Sequence, residues 1–155
     1  MKYLIAILAI GGVVVSLLAW RVHNSDPGMA EPCSINEHWD CGTVQHSRFA
    51  EIKLPPWGSA PIDGSPDPRP GIPVAAIGVA GYIAILILLV FDGRRSRQIL
   101  FAAAIVGMGF ALYLTYIEAD VLLTWCLYCV ISQGIITLIL LASGVRLFFC
   151  KEKTA

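Results

Sequence analysis

The sequence predicts an all-α integral membrane protein, a bundle of four transmembrane helices capped by a cysteine-bearing extracytoplasmic loop. Three observations predict it. Hydrophobic residues make up 57% of the 155-residue chain and charged residues 14%, with a mean hydropathy of +0.72; soluble domains carry about a quarter charged residues. The apolar residues gather in four runs, about 3–20, 72–91, 99–117 and 125–149. Each has the roughly 20 residues needed to cross a hydrocarbon core about 30 Å thick. Between the first two runs, residues 21–71 are polar and hold most of the nine prolines, all three histidines and two of the five cysteines. The length suits one domain. A formal net charge of zero leaves no basic excess to draw nucleic acid.

The first run, Tyr3 to Trp20, is preceded only by Met1 and Lys2. A secretory signal peptide is the alternative reading. No small-x-small cleavage site follows, because the chain leaves through Ala19-Trp20-Arg21-Val22-His23, so an uncleaved first span is expected. In the loop, Gln45 to Leu54 suits one short amphipathic helix with Phe49 and Ile52 on one side. Pro55-Pro56-Trp57-Gly58 and Pro66-Asp67-Pro68-Arg69-Pro70-Gly71 then break regular structure. Loops of this length tend to be functional.

The second run, Ile72 to Phe91, ends at the turn Asp92-Gly93-Arg94-Arg95-Ser96-Arg97. The third, Ile99 to Ile117, has Glu118 and Asp120 at its far end. Ala119 to Thr124 connects it to the fourth, Trp125 to Phe149. Ala76, Ala80 and Ala84 in the second run, and Ala103, Gly107 and Ala111 in the third, repeat every four residues. Small residues at that spacing read as packing seams between helices.

Charge sets the expected orientation. Four spans put both termini and the arginine turn on one side, where Lys2, Arg94, Arg95, Arg97, Lys151 and Lys153 crowd short segments. Arg21, Arg48, Lys53 and Arg69 are diluted over the long loop. The positive-inside rule then places the short basic segments in the cytoplasm and the loop on the oxidising side of a cell (inner) membrane.

Trp125-Cys126-Leu127-Tyr128-Cys129 is a C-x-x-C at the start of the fourth helix. Cysteines three apart in a helix's first turn face the same way, and the helix N-terminus favours thiolate, the attacking species in disulfide exchange. Cys33 and Cys41 lie in the loop on the same side, as a static staple or as a second redox pair. Cys33, His38, Cys41 and His46 also make a C-x4-H-x2-C-x4-H zinc pattern, disfavoured because thiols facing an oxidising compartment become oxidised. His23 reads as an interfacial residue. Cys150 lies about 31 Å beyond Cys129 on a continuous helix and is excluded from the mechanism.

An electron acceptor for Cys129 is needed. No histidine inside a span offers haem ligation and no dinucleotide-binding glycine motif is present, so a membrane quinone is the natural candidate. Gln133, one turn past Cys129, is either a hydrogen-bond donor to a quinone oxygen or an interhelical contact. No metal is called for by the redox reading.

The pattern resembles the vitamin K epoxide reductase family, in its bacterial-type members without a fused thioredoxin-like domain. The matching elements are Cys33-x7-Cys41, Ser47 six residues on, Gly71-Ile72-Pro73-Val74 with Gly78 and Tyr82 inside the second span, and the Trp125–Cys129 motif. The resemblance implies a four-helix bundle around a quinone pocket of the menaquinone or ubiquinone class. It also implies exchange of Cys33 with a partner's thiols, a transient Cys41–Cys126 disulfide, and quinone reduction by Cys129. Ser47, Val74, Gly78 and Gln133 would be the cofactor contacts. Vertebrate members hold substrate oxygens with an asparagine and a tyrosine where Val74 and Gln133 stand here, which favours a quinone over vitamin K epoxide. The chain stops at Ala155, so the implied partner is a separate thioredoxin-like (DsbA-like) protein. Three alternatives remain: vitamin K epoxide reduction proper, an analogous disulfide oxidase of independent topology, and a non-enzymatic membrane protein with a zinc- or disulfide-stapled loop.

Overall fold

The computed structural model describes residues 1–25, 33, 36, 38–47, 49–52, 71–91 and 93–149. The proline clusters at 55–58 and 66–70, the tail from Cys150 onward, and Arg48, Lys53 and Arg69 lie outside them. Four long helices carry the fold: α1 (Lys2–His23), α3 (Val74–Val90), α4 (Arg94–Tyr116) and α5 (Leu127–Phe148). A short helix α2 (Cys41–Gln45) and a two-residue hairpin of β1 (Glu51–Ile52) with β2 (Ile72–Pro73) sit between α1 and α3. Helix α1 packs on α3 and α5, and α4 packs on α5.

Among the described residues three helical segments, Lys2–His23, Arg94–Leu122 and Leu127–Phe148, are long and apolar enough to cross a membrane. Helix α3 is apolar but has 17 residues, which at 1.5 Å per residue spans about 25 Å. It is shorter than the expected run because Ile72 and Pro73 are spent on the hairpin, pairing with Ile52 and Glu51. Large apolar side chains cover the outside of the bundle, among them Ile7, Val106 and Phe148, each at least 67% exposed. That inversion of the soluble pattern suits a lipid surround.

The buried centre of the bundle is Ile5, Ala9, Tyr82, Ile85, Leu89, Leu100, Ala104, Ile136, Ile139 and Ala142. Gly12 makes it possible: a Cβ there would lie 2.4 Å from the Tyr82 ring, so only glycine lets that ring lie on α1. The Tyr82 hydroxyl reaches across to α5, 2.9 Å from both the carbonyl oxygen and the Oγ of Ser132. Gly78 likewise lies against Ser16, whose Oγ would be 2.9 Å from an added Cβ.

Three sequence expectations change. The alanine stripe of α3 is not its seam, since Ala80 and Ala84 are exposed and the buried face is Ala75, Tyr82, Ile85 and Leu89. The Tyr82–Gly12 and Gly78–Ser16 approaches set that face instead. In α4 the stripe does pack, with Gly107 against Ile136. The loop helix lies at Cys41–Gln45 and not at Gln45–Leu54. Asp40 caps it, accepting from the Gly42 N–H at 2.9 Å. Downstream, Val74 N–H donates to Ala50 O at 2.8 Å and pulls the chain into the hairpin. Finally, Ala119 to Thr124 is mostly helix: α4 continues as a π-helical turn over Ile117–Leu122. The chain then reverses at Leu123, whose φ of 52° is left-handed. Such a conformation is uncommon for a residue with a branched side chain.

Candidate active site

One end of the bundle carries a second buried cluster: Val22, Cys33, Cys41, Val44 and Cys126, with Leu122, Leu127, Tyr128 and Cys129 packed against it. Four cysteines from two distant stretches are thus collected at one place. The loop is held there by backbone pairing. Trp125 N–H donates to His38 O at 2.8 Å and Asp40 N–H to Trp125 O at 3.1 Å. The Trp39 and Trp125 rings lie beside each other, 6.4 Å between centroids. Asp40, which caps α2, thereby fixes the neighbouring Cys41 over the start of α5.

Cys33 and Cys41 are joined in a disulfide with Cα atoms 5.8 Å apart. That bond leaves neither as the thiolate ligand that the zinc pattern with His38 and His46 requires. His46 instead contacts Gly42 O and Ser25 O. Cys126 and Cys129 are free thiols. Cys126 is the N-cap of α5 and Cys129 stands in its first turn, so the expected helix start moves by two residues while the shared face remains.

Two polar residues that the sequence reading did not assign to the site meet these sulfurs. Gln45 points its amide Nε2 at both, 3.8 Å from Cys126 Sγ and 3.9 Å from Cys129 Sγ. Its backbone oxygen is in turn held by His23 Nδ1 at 2.6 Å. Because a carbonyl only accepts, that ring nitrogen carries the proton, and Nε2 faces Glu51 Oε1 at 3.4 Å. Glu118, 3% exposed, accepts the Cys126 backbone N–H at 3.1 Å through Oε2. The ligand-type atoms of Glu118, Cys126 and Cys129 lie within 4.8 Å of one another. Among the described residues these three donors stand together, one fewer than the four of a closed zinc site.

The local field separates the two thiols. Donation from the Cys129 thiol holds Cys126 below the ordinary thiol range. The Cys129 backbone N–H and the Gln45 amide act in the same direction, while burial and the Glu118 charge oppose them. Cys126 is therefore the more readily ionised nucleophile.

A small cavity of about 30 Å³ opens beside Cys129. Its walls are mostly apolar, with Ser47, Gln45 and Glu118 as the polar members. Ser47 and Val74, both expected as cofactor contacts, are on these walls. Gly78 packs against Ser16, and the Gln133 side chain accepts from Thr115 Oγ1, tying α5 to α4.

The sequence profile of the Vitamin K epoxide reductase family matches residues 3–143, from the start of α1 into the last turns of α5 and across all four of these cysteines. The chain belongs to that family. Among curated proteins none matches it. Membership of the vitamin K epoxide reductase family, together with the membrane-capable helices and the cysteine pairs, identifies a membrane oxidoreductase.

Proposed function

We propose that this vitamin K epoxide reductase family member is a thiol–disulfide oxidoreductase. It oxidises an extracytoplasmic thioredoxin-like partner and delivers the electrons to a membrane quinone. The observation that carries the proposal is the packing of an oxidised loop pair and a reduced helix pair into one buried cluster, with Cys129 also on a cavity wall. The reading includes four spans, with α3 as the short one, and cytoplasmic termini. It is supported by the basic residues Lys2, Arg94, Arg95 and Arg97 on short segments.

In the first step a partner thiolate attacks Cys33 Sγ, the Cys33–Cys41 bond breaks, and Cys41 leaves as thiolate. Resolution by the partner's second thiol releases it oxidised. Cys41 thiolate next attacks Cys126 Sγ of a Cys126–Cys129 disulfide, and Cys129 leaves. Attack by Cys33 on Cys41 restores the loop disulfide and leaves Cys126 and Cys129 reduced, the state seen here. Each exchange conserves its electron pair among sulfurs, with direction set by relative reduction potentials.

The set of groups beside Cys129 suits a quinone, because apolar walls with a few polar atoms hold a flat conjugated diketone. Ser47 and Val74 would line it, and Gln45 would orient the sulfurs. A quinone bound there supplies a sink for two electrons and two protons. The cavity's present volume is about that of one water, so ring entry requires its walls to move apart. Membership of the family favours this reading over a zinc-stapled scaffold.

The test is purified protein in detergent or vesicles with dithiothreitol as dithiol and ubiquinone-1 as acceptor. We expect quinone reduction equimolar with dithiol oxidised, lost in Cys129→Ala. Equal rates with and without the protein would contradict the proposal.

A further inference from the structure

We propose that Glu118 is a catalytic residue whose carboxylate takes the Cys129 thiol proton as the Cys126–Cys129 disulfide closes and returns it as that disulfide opens. The proposal rests on reading Cys126 and Cys129 as the redox pair, and it assigns that pair's proton to a named atom.

A cysteine attacks only as thiolate, so closing the pair requires Cys129 to lose its proton within a buried cluster. The Cys126 sulfur and a Glu118 carboxylate oxygen both lie within 4.8 Å of the Cys129 sulfur, so two acceptors stand near that thiol's proton. Once Cys126 is spent in a mixed disulfide it is no longer an anion, and Glu118 is the acceptor that remains. Gln45, the other polar side chain at these sulfurs, presents its amide nitrogen and can only donate. The π-helical turn Ile117–Leu122 carries Glu118 to this place, and Thr124 N–H closes the turn on Glu118 O at 3.2 Å.

A bland role, capping the Cys126 N–H, is real but does not explain the residue. Any neutral side-chain oxygen would serve as that cap, whereas a buried carboxylate at the head of a bundle carries a large desolvation cost. A carboxyl group there is accounted for by a proton that has to be accepted and returned.

The step balances without an external oxidant when Cys126 is already in a mixed disulfide. Cys129 Sγ bonds to Cys126 Sγ, the bond from Cys126 to the outgoing sulfur breaks, and that sulfur departs with the electron pair. The Cys129 proton moves to Glu118 and then to the departing thiolate. In the reverse direction protonated Glu118 delivers its proton to Cys129 as it leaves.

One equivalent of methyl methanethiosulfonate, small and uncharged, isolates this step in a Cys150→Ser background with the loop disulfide intact. It places a methylthio group on Cys126, and Cys129 then closes the disulfide with release of methanethiol. Acid quenching and mass spectrometry time both steps, with neither quinone nor partner present, so failure of the quinone reading leaves the result standing. For Glu118→Gln, which keeps an oxygen for the Cys126 N–H, we expect closure to slow at least tenfold and methylthiolation to change less than threefold. General base assistance contributes about 10²- to 10⁴-fold. Glu118→Ala should show the same defect and recover with added formate but not with chloride. Closure in Glu118→Gln within threefold of the parent would overturn the proposal. If Glu118→Gln loses both steps through misfolding, formate rescue of Glu118→Ala decides: rescue supports the base, and no rescue overturns it.

Discussion

The bundle has two buried clusters built on opposite principles. The one between the long helices is aliphatic and interlocked by shape: Ile5, Leu100 and Ile139 are fully buried, and the Tyr82 ring lies where Gly12 has no side chain. The one at the loop end is small, rich in sulfur, and held by a disulfide, backbone pairing, the Gln45 amide donating toward the sulfurs and the Glu118 carboxylate accepting the Cys126 N–H. The first contains no reactive group. The second contains little apolar volume and the four described cysteines, Cys33, Cys41, Cys126 and Cys129. Stability and chemistry are thereby separated along the bundle axis, and substitutions should divide accordingly.

The largest expected effect is on activity with little on folding. Cys126→Ala and Cys129→Ala should each reduce dithiol-dependent ubiquinone-1 reduction to background while thermal unfolding in detergent stays near the parent's. A large fall in melting temperature would show that the loop-end cluster is structural after all. The converse case is Gly12→Val, which forces the Tyr82 ring out of its seat. Overpacking of this kind costs about 1–3 kcal/mol, seen as a lower melting temperature, while Cys126 alkylation at fixed pH should be unaltered below the transition.

A finer division concerns pH. With Cys126 held below the ordinary thiol range, its alkylation by iodoacetamide should reach half-maximum below the usual thiol value of about 8.5. Removing its main donor in Cys129→Ala should move that midpoint upward. Because the folded-state value is depressed, the linked stability is present above the unfolded thiol's pKa and is lost as pH falls through the folded value. The smallest effect is expected for Tyr82→Phe. Loss of its bond to Ser132 should cost about 1 kcal/mol, measurable by denaturant titration and invisible in the thiol assays.

The two clusters were unequally legible. The long apolar helices, the arginine turn and both cysteine pairs follow from local composition and spacing, which the membrane environment makes unusually informative. Residues that matter through contact were not readable. Gln45 meets Cys126 across 81 positions and Tyr82 meets Ser132 across 50, and no periodicity records either approach. The alanine stripe in α3 misled because spacing tells which residues share a face, not which face is buried; Ala80 and Ala84 face outward. Glu118 was visible as an acid at the end of the third run. Its nearness to the C-x-x-C was hidden by the π-helical turn, which replaces the expected connection. An ionisable residue at the edge of an apolar run is itself a signal for function, and Glu118 lies beside the C-x-x-C sulfurs.

The central claim is that the loop pair and the helix pair exchange disulfides through Cys41 and Cys126. It is tested most directly in the double variant Cys33→Ala, Cys129→Ala, where those two thiols lack their own partners. Mild oxidation, rapid thiol trapping and peptide mapping should recover a Cys41–Cys126 disulfide in nearly every molecule. Two free thiols at those positions under the same conditions would contradict the account.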